Sequence, residues 1–283
     1  MKTAVLLDKK EILRFYKKTN PQTHKGLQGH ALVIAGSYGK MGAAVLASKA
    51  ALKSGCGLVT AFVPQCGYTI LQIANPEVMT ITDEAEKEIT KISTHNKYQA
   101  IGLGPGIGLA NITQNAVLDF LKNNRIPLVI DADAITILPQ NQDRLSFLQP
   151  KTIFTPHPKE LERLIGKWES DEDKFQKTIL FSKKFDVVMV MKGAPTFIIY
   201  QDEIYKNTSG NAALATAGSG DTLTGIITGL LAQGYSPLEA AQMGVFLHGL
   251  TADLAISDIG THAFIASDCI AYLGKAFLFL EAE

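Results

Sequence analysis

The chain has few cysteines, no excess of charge of either sign and no long apolar run. Its three cysteines among 283 residues form neither a CxxC pair nor a metal-ligand spacing, so a disulfide scaffold is excluded and a reducing cytosol is favoured. Lys plus Arg and Asp plus Glu number 27 each, and without net charge no global field attracts nucleic acid or anionic lipid. No stretch reaches about 18 uninterrupted apolar residues, and the first apolar run is too short for a signal peptide. We therefore expect a cytoplasmic protein that binds neither nucleic acid nor membrane.

Several familiar motifs are absent as well. A Walker A loop requires Ser or Thr after Gly-Lys, whereas Met41 follows Lys40 in GSYGKMG at 36 to 42, which excludes a P-loop. GLGPGIG at 102 to 108 lacks the third glycine of GxGxxG, so it is a weak candidate for the dinucleotide fingerprint. No serine lies in a GxSxG elbow, which disfavours nucleophilic hydrolase chemistry.

The distribution of apolar residues predicts a doubly wound α/β fold. Hydrophobic residues make up 46% of the chain and charged residues 19%, which is enough apolar material for a large core. Apolar runs indicate strands at 31–35, 58–63, 100–103, 127–131 and 186–191. Helices are predicted at 42–54, 111–123, 158–165, 171–184, 218–232, 236–256 and 267–280. This alternation is typical of a mainly parallel sheet with helices on both faces. The runs 196–200 and 203–207 predict an antiparallel hairpin at a sheet edge. With no linker or repeat, we expect one domain, 1–283.

A glycine-rich turn leads directly into an apolar helix in ATAGSGDTLTGIITGLLAQG, at 215 to 234. Gly218 and Gly220 allow a tight turn that leaves the first N–H groups of the helix uncovered, and the helix dipole adds positive charge there. This predicts an anion site, in which Asp221 faces a bound phosphate and accepts a proton from an attacking hydroxyl. The alternative is that Asp221 only caps the helix or complements its dipole.

Other polar residues follow strands, at the edge where open α/β sheets bind ligands. Asp131 and Asp133 in VIDADAITIL share one face if the strand continues. They can hold a metal or orient a substrate, or one of them caps a helix that starts near Ala134. His157 in TPHPKE lies in a loop held extended by two prolines, where a lone histidine is usually solvated. Lys192 in MKGAPTF follows an apolar strand. The backbone after this strand either contacts a nucleotide or only connects the strand to the hairpin.

The order of the motifs along the chain resembles one known family. HKG, GHALVIAGS, GAAVLASKAALKSGCGLVT, GLGPGIG, VIDADAI, TPHPKE, MKGAPT and NTSGNAALATAGSGDTLTGIITGLL occur in that family's order and span nearly the whole chain. The chain is similar to the NAD(P)H-hydrate dehydratase family, carbohydrate-kinase-like proteins with a ribokinase-type fold. The resemblance implies an enzyme that repairs hydrated NADH and NADPH. It would phosphorylate the misplaced ring hydroxyl with ADP, the usual bacterial donor, or with ATP, and then eliminate phosphate.

The resemblance also implies roles for individual residues. Asp221 would be the catalytic base that activates the hydroxyl, and Asn211 would orient phosphate or a water bound to Mg²⁺. The N–H groups of the cradle that holds the transferred phosphoryl group would come from Gly218, Ser219 and Gly220. The hydrate would contact Ala43, Gly106, His157 and Asp221. The nucleotide would lie along Lys192, Gly193, Ala194, Pro195 and Thr196, with Gly220 beside its phosphates. Mg²⁺ is expected, held mainly by phosphates and water, and no metal ligand is assigned.

The resemblance extends to partners and leaves two alternative functions open. It implies a homo-oligomer, a tetramer. Some family members carry an epimerase domain before this one, but only 28 residues precede GHALVIAGS, too few for a domain, so we expect the epimerase to be a separate protein. The first alternative is a ribokinase-superfamily kinase that phosphorylates a vitamin alcohol and releases the product. The second is a non-catalytic nucleotide sensor, which an intact Asp221 disfavours.

Overall fold

A ten-stranded mixed sheet organises the molecule, whose computed structural model describes residues 3–94, 97–138 and 145–282. The strands are β1 (Val5–Leu7), β2 (His30–Ile34), β3 (Leu58–Val63), β4 (Met79–Thr82), β5 (Ala100–Leu103), β6 (Leu128–Ile130), β7 (Ile153–Phe154), β8 (Val188–Met191), β9 (Phe197–Tyr200) and β10 (Glu203–Asn207). The helices are α1 (Lys9–Leu13), α2 (Met41–Lys53), α3 (Gly67–Ala74), α4 (Asn111–Asn123), α5 (Ala132–Ile137), α6 (Pro158–Ile165), α7 (Asp171–Phe185), α8 (Ser219–Ala232), α9 (Pro237–Ile259) and α10 (Ala266–Glu281).

The sheet is mainly parallel, as the sequence predicts. Its strand order is β1-β10-β9-β8-β7-β6-β5-β2-β3-β4. The strands from β8 through β7, β6, β5, β2 and β3 to β4 pair in parallel, whereas β9 pairs antiparallel with both β8 and β10. The predicted hairpin is therefore confirmed, and β1 pairs in parallel with β10 on its outer side.

Helices cover both faces of the sheet, which explains why its central strands are continuously apolar. All five residues of β2 are buried, and alternate residues enter two different cores. Ala31 and Val33 pack in one core, and Leu32 and Ile34 in the other. The first core is completed by α2, α8, α9 and α10, through residues such as Ala47, Ile226, Met243 and Ile270. The second is completed by α4, α5, α6 and α7, through residues such as Val117, Ile135, Leu161 and Phe175.

Several short elements do not follow from the apolar runs. β1 and β4 lie at the two edges of the sheet and leave Val5 and Met79 exposed, so neither reads as a continuous buried strand. β7 has only two residues, and α1 and α3 are also missing from the predicted helices. The strand predicted from 186 begins at Val188, because Asp186 ends α7 with a left-handed φ of 49°.

Close packing between α2 and α8 fixes the position of the α8 N-terminus. A Cβ atom on Gly225 would overlap the carbonyl oxygen of Ala47, and one on Gly229 would overlap the hydroxyl of Ser54. The two glycines therefore let the helices approach backbone to backbone. Within the described residues, no helix combines the length and the apolar character needed to cross a lipid bilayer.

Candidate active site

The turns that follow β2 and β5 meet at the carboxyl end of the sheet. The amide of Gly36 donates to the carbonyl of Pro105 at 2.8 Å, and the hydroxyl of Ser37 donates to the carbonyl of Gly106 at 2.7 Å. Gly106 has a φ of +65°, and a Cβ atom there would lie 3.0 Å from the Cβ of Ala43. The structure thus brings together Ala43 and Gly106, two of the residues predicted to contact the substrate.

The glycine-rich turn forms the N-terminus of α8 as predicted. Gly218 is the N-cap residue with φ +84°, and a Cβ atom there would overlap the side chain of Leu46. No side chain in the described part of the chain caps this helix end. The amide of Ser219 makes a long bond of 3.3 Å to the carbonyl of Thr216, whereas the amides of Gly220 and Asp221 have no acceptor among the described residues and remain available to an anion. Ser219 is buried beneath the turn, with its hydroxyl 3.2 Å from Nε2 of His248 on α9.

An ion pair between a partly buried lysine and a buried aspartate lies against this turn. The ammonium of Lys192, just after β8, is 2.8 Å from Oδ1 of Asp131 and 3.9 Å from Oε2 of Glu160. Asp131 Oδ2 accepts a hydrogen bond of 2.7 Å from the hydroxyl of Thr224, on α8. Burial favours the neutral amine, but Asp131, Glu160 and Asp221 outweigh it, so the pKa of Lys192 is raised and the group stays charged.

Gly220 lies between this ion pair and the N-terminus of α8. A Cβ atom on Gly220 would lie 3.3 Å from the Lys192 ammonium and 3.8 Å from Asp131 Oδ2. The φ of Gly220 lies outside the left-handed region. Glycine is therefore needed here because a side chain would lack space, and not because of the backbone angles. The predicted nucleotide residues Lys192 and Gly220 are therefore adjacent, beside the predicted cradle.

Asp221 occupies the first turn of α8, with its carboxyl partly buried among charges. Burial and the negative charge of Asp131 raise the pKa of Asp221 to about 6, with Lys192 opposing them and Asp133 adding to them. Within the described residues no group donates a hydrogen bond to this carboxyl, and it makes no capping bond. A carboxylate that titrates close to neutral pH and has no internal partner is suited to accept a proton from a ligand.

His157 caps helix α6 while its side chain remains exposed, as expected for a histidine in an extended loop. Its Nδ1 accepts from the amides of Lys159 and Glu160, and its own amide donates to the Glu160 carboxylate at 2.8 Å. The proton therefore lies on Nε2, 3.2 Å from Glu160 Oε1. Burial and the charge of Lys192 lower the pKa of His157, so the ring is neutral. About half of the side chain, 47%, remains exposed to a ligand.

The two aspartates that follow β6 do not share one face, contrary to the expectation for a continuing strand. The strand ends at Ile130 and Ala132 adopts a left-handed φ of 50°, which turns the chain between them. Asp131 faces Lys192, whereas Asp133 accepts from the amide of Gly108 at 2.9 Å. Asp131 stands at the N-cap of α5 but makes no side-chain capping bond there.

The segment after Lys192 is an exposed tight turn. The Thr196 hydroxyl donates to the carbonyl of Gly193 at 3.0 Å, and Ala194 precedes Pro195 through a cis peptide bond. Residues 193 to 195 are solvent-exposed. The amide of Lys192 donates to the carbonyl of Pro156 at 3.0 Å, which ties this turn to the loop that carries His157.

The family model described as NAD(P)H-hydrate dehydratase matches residues 31–273. The chain belongs to the NAD(P)H-hydrate dehydratase family. It is 38% identical over 268 residues to an ADP-dependent (S)-NAD(P)H-hydrate dehydratase of Neisseria meningitidis, covering 92% of this chain and 89% of that protein. It is 36% identical over 274 residues to a bifunctional NAD(P)H-hydrate repair enzyme of Moorella thermoacetica, covering 92% of this chain and 51% of that protein. The chain thus spans about half the length of the bifunctional relatives it matches.

Solved structures agree with this family and fold. The ADP/ATP-dependent NAD(P)H-hydrate dehydratase of Bacillus subtilis, co-crystallised with ATP and Mg²⁺, superposes with a TM-score of 0.83 at 27% identity, covering 99% of this chain and all of that one. A hydroxyethylthiazole kinase of Pyrococcus horikoshii shares the fold alone, with a TM-score of 0.59 at 13% identity. The ribokinase-like fold predicted from the sequence is confirmed.

Asn211 uses its side chain within the protein. Its Oδ1 accepts from the amide of Ala213 at 3.0 Å and its Nδ2 donates to Asp253 at 2.8 Å. Asp253, on α9, also accepts from the amide of Gly210 at 2.7 Å. In this member of the family the loop before the glycine-rich turn is therefore held by α9, and a role of Asn211 toward phosphate or Mg²⁺ stays a prediction.

The sequence did not single out four polar residues that shape the site: Glu160, Thr224, His248 and Asp253. Two signals were available. Glu160 stands three residues after His157, which is the spacing of a capping box. Thr224 and His248 are polar residues within stretches of their helices that are rich in apolar residues, where a buried polar group needs a partner. Nothing in the local pattern names that partner, because Asp131 and Thr224 are 93 positions apart.

Proposed function

We propose that this protein dehydrates hydrated NADH and NADPH back to the reduced cofactors in a reaction that consumes a nucleotide, with ADP as the preferred donor. Family membership and the similarity to the Neisseria meningitidis enzyme support the reaction. The structural observation that carries the proposal is Asp221, a partly buried carboxylate in the first turn of an uncapped helix with the charged Lys192 beside it. A base, an anion cradle and a cation in one place are what phosphoryl transfer to a hydroxyl requires.

Asp221 acts as the base in this proposal. Its carboxyl has no hydrogen-bond donor within the described residues, so its lone pairs are free to accept the proton of the ring hydroxyl. Deprotonation makes that oxygen a nucleophile toward the terminal phosphorus of the nucleotide. The N–H groups at Gly218, Ser219 and Gly220 hold the transferred phosphoryl group, because the helix N-terminus favours the negative charge that accumulates there.

The nucleotide lies along Lys192 and the turn from Gly193 to Thr196, with Gly220 beside its phosphates. The exposed backbone of that turn can face the nucleoside, and the Lys192 ammonium lies where phosphate oxygens approach the first turn of α8. Mg²⁺ would neutralise polyphosphate charge and orient the transferred group. The described residues contain no group of three or more His, Cys, Asp or Glu side chains placed to hold a metal, so in this proposal the ion enters with the phosphates and water, and Asn211 orients one of those ligands.

In this proposal the hydrate contacts Ala43, Gly106 and His157 and presents its ring hydroxyl to Asp221. The close approach of the turns at Ala43 and Gly106 presents backbone and small side chains to a flat ligand. His157 has its Nδ1 committed to the helix cap. It therefore offers the substrate the exposed edge of a neutral ring and the Nε2–H group, which at present faces Glu160.

Elimination completes the reaction. Once the ring hydroxyl carries a phosphoryl group, the ring nitrogen donates its lone pair, the C–O bond breaks and phosphate leaves with the bonding electrons. Loss of a proton from the neighbouring ring carbon then restores the dihydronicotinamide. The atoms balance as ADP plus hydrated NADH giving AMP, phosphate and NADH.

Product analysis tests this reaction against the two alternatives. The protein is incubated with Mg²⁺, ADP or ATP, and either hydrated NADH or a thiazole alcohol, and the products are separated by chromatography. The proposal expects NADH and free phosphate from the hydrate and no phosphorylated alcohol. A stable phosphorylated vitamin alcohol with untouched hydrate would establish the kinase, and nucleotide binding without turnover of any acceptor would establish the sensor.

We also infer one domain over 1–283, a homo-oligomer and a cytoplasmic location. The single sheet, which joins strands from Val5 to Asn207, supports the single domain. The oligomer, a tetramer, rests on resemblance to the family, and the cytoplasmic location rests on the small number of cysteines. That a separate epimerase acts on the same substrate stays a prediction.

A further inference from the structure

A buried carboxylate stands behind the phosphoryl-transfer site, and none of the roles proposed above uses it. Asp131 is only 1% exposed and lies at the end of β6. One of its carboxylate oxygens contacts the Lys192 ammonium at 2.8 Å and the other accepts from the Thr224 hydroxyl at 2.7 Å. Asp131 therefore connects the strand end that carries Lys192 with the helix that carries the cradle and Asp221.

We propose that Asp131 is a positioning residue for phosphoryl transfer: together with Thr224, it holds the Lys192 ammonium against the first turn of α8, where the transferred phosphoryl group binds. This inference rests on the proposed function. Its geometric basis is that the ammonium lies 3.3 Å from the position a Cβ atom of Gly220 would take. The amine thus stands beside the N–H groups of the cradle.

A lysine needs such a holder more than an arginine does. Its ammonium sits on a flexible four-carbon stem and loses much rotational freedom when it is fixed. A cation contributes most to transfer when it is already in place as charge develops, because no reorganisation then accompanies the reaction. The contact of 2.8 Å from a buried carboxylate, which is itself anchored by the Thr224 hydroxyl at 2.7 Å, provides that order. Glu160 at 3.9 Å supplies only a weaker second partner.

The negative charge of Asp131 also assists catalysis, through its effect on the pKa of Asp221. Three charged groups face Asp221, namely Asp131, Lys192 and Asp133. Asp131 raises the pKa of Asp221, which makes its carboxylate a stronger base when it is ionised. Replacing Asp131 with a neutral side chain of equal shape should therefore both loosen Lys192 and weaken the base.

A double-mutant cycle between Asp131 and Lys192 tests the inference. Asp131→Asn should lower kcat by about 10- to 100-fold, since small displacements of a catalytic group have effects of that size, while the nucleotide KM changes less than about threefold. In a Lys192→Met background the same substitution should cost less than about threefold, because the group that Asp131 positions is gone. The acid limb of the kcat/KM profile of Asp131→Asn should also move to lower pH. Equal losses of kcat in both backgrounds, with an unmoved acid limb, would show that Asp131 is merely structural.

Thr224 provides a matched pair of variants should Asp131→Asn fail to fold. Thr224→Val removes the hydroxyl that binds Asp131 and should lower kcat by about 3- to 10-fold, whereas Thr224→Ser retains it and should stay near wild type. Equal kcat values for the Val and Ser variants, each folded by circular dichroism, would overturn the assignment.

Failure of the proposed function can be distinguished from failure of the role inferred for Asp131. If wild-type protein restores no NADH, the proposed function fails, and the cycle is repeated on the rate at which ADP with Mg²⁺ loses phosphate to water, measured as phosphate release. The same non-additivity in rate is then expected. Additive losses of that rate, or no phosphate release by the wild-type protein, would overturn the role of Asp131.

Discussion

The imidazole of His248 on α9 donates from Nε2 to the carbonyl oxygen of Ser219, the first residue of α8, over 3.0 Å. A carbonyl oxygen only accepts, so Nε2 carries the proton. The first turn of α8, which forms the cradle, is thereby supported from below by a histidine that no ligand reaches, since His248 is buried. Burial lowers the pKa of His248 to about 4, with the Ser219 bond opposing and Lys192 adding to the effect.

His248 should therefore make the folded protein less stable in acid. The unfolded chain takes up a proton near the ordinary pKa of 6.5 and the folded chain only near 4. The contribution of neutral His248 to the free energy of unfolding is complete above pH 6.5. It is lost as the pH falls toward 4, by about 3 kcal/mol. Urea unfolding of wild type and His248→Gln from pH 8 to pH 4 measures it. The stability difference between the two proteins should shrink by this amount toward pH 4, and a constant difference would contradict a neutral buried imidazole.

Asp221 should impose an acid limb on the reaction. The free carboxyl has its pKa raised to about 6, mainly by burial and by Asp131, and only its ionised form accepts a proton. The kcat/KM for the hydrate should therefore fall about tenfold per pH unit below about 6. A profile that stays flat down to pH 5 would mean that another group is the base or that Asp221 titrates normally.

Asp221→Asn removes the base and keeps the shape of the turn. We expect kcat to fall by about 10²- to 10⁴-fold, the range typical of general-base loss. The affinity for ADP should change little, because the N–H groups of the cradle are unaltered. Steady-state kinetics and calorimetry on the same preparation separate the two effects, and a near-wild-type kcat would remove Asp221 from the mechanism.

The same variant should be more stable than wild type at neutral pH. Because the folded-state pKa of Asp221 is raised from 3.8 to about 6, wild type loses stability as the pH rises between these values. Asn has no such loss, so Asp221→Asn should gain about 2 kcal/mol at pH 7 and little at pH 4. Thermal unfolding at both pH values measures this, and a variant less stable than wild type at pH 7 would show that Asp221 has a structural partner.

Gly220→Val should block nucleotide binding in a folded protein. Its first side-chain atom would lie 3.3 Å from the Lys192 ammonium, and the branched carbons beyond it would enter the cradle. We expect ADP affinity to fall at least about tenfold, the size of a lost charge-assisted contact. Gly274→Val on α10 is the matched control, since a Cβ atom there meets nothing within 4 Å, and its affinity should be that of wild type. Unchanged affinity in Gly220→Val would place the phosphates elsewhere.

The elements that could be predicted from the sequence are those whose signal is local. Buried parallel strands such as β3 and β5 are continuous apolar runs, and the uncapped start of α8 is visible in its glycines. The site as an assembly could not be predicted in this way. Lys192 and Asp131 are 61 positions apart, and only the parallel order β6-β7-β8 brings their strand ends together. Their pairing, and with it the raised pKa of Asp221, is a product of topology.

Recovery of dihydronicotinamide absorbance from hydrated NADH tests the central claim most directly. Wild type and Asp221→Asn are each mixed with Mg²⁺ and with ADP or ATP, and NADH, AMP and phosphate are quantified together. We expect wild type with ADP to form the three products in equal amounts, ADP to be used in preference to ATP, and the variant to be nearly inactive. Preference for ATP with NADH still formed would change only the donor. Nucleotide consumption without any NADH, or equal rates in the two proteins, would contradict a dehydratase that uses Asp221 as its base.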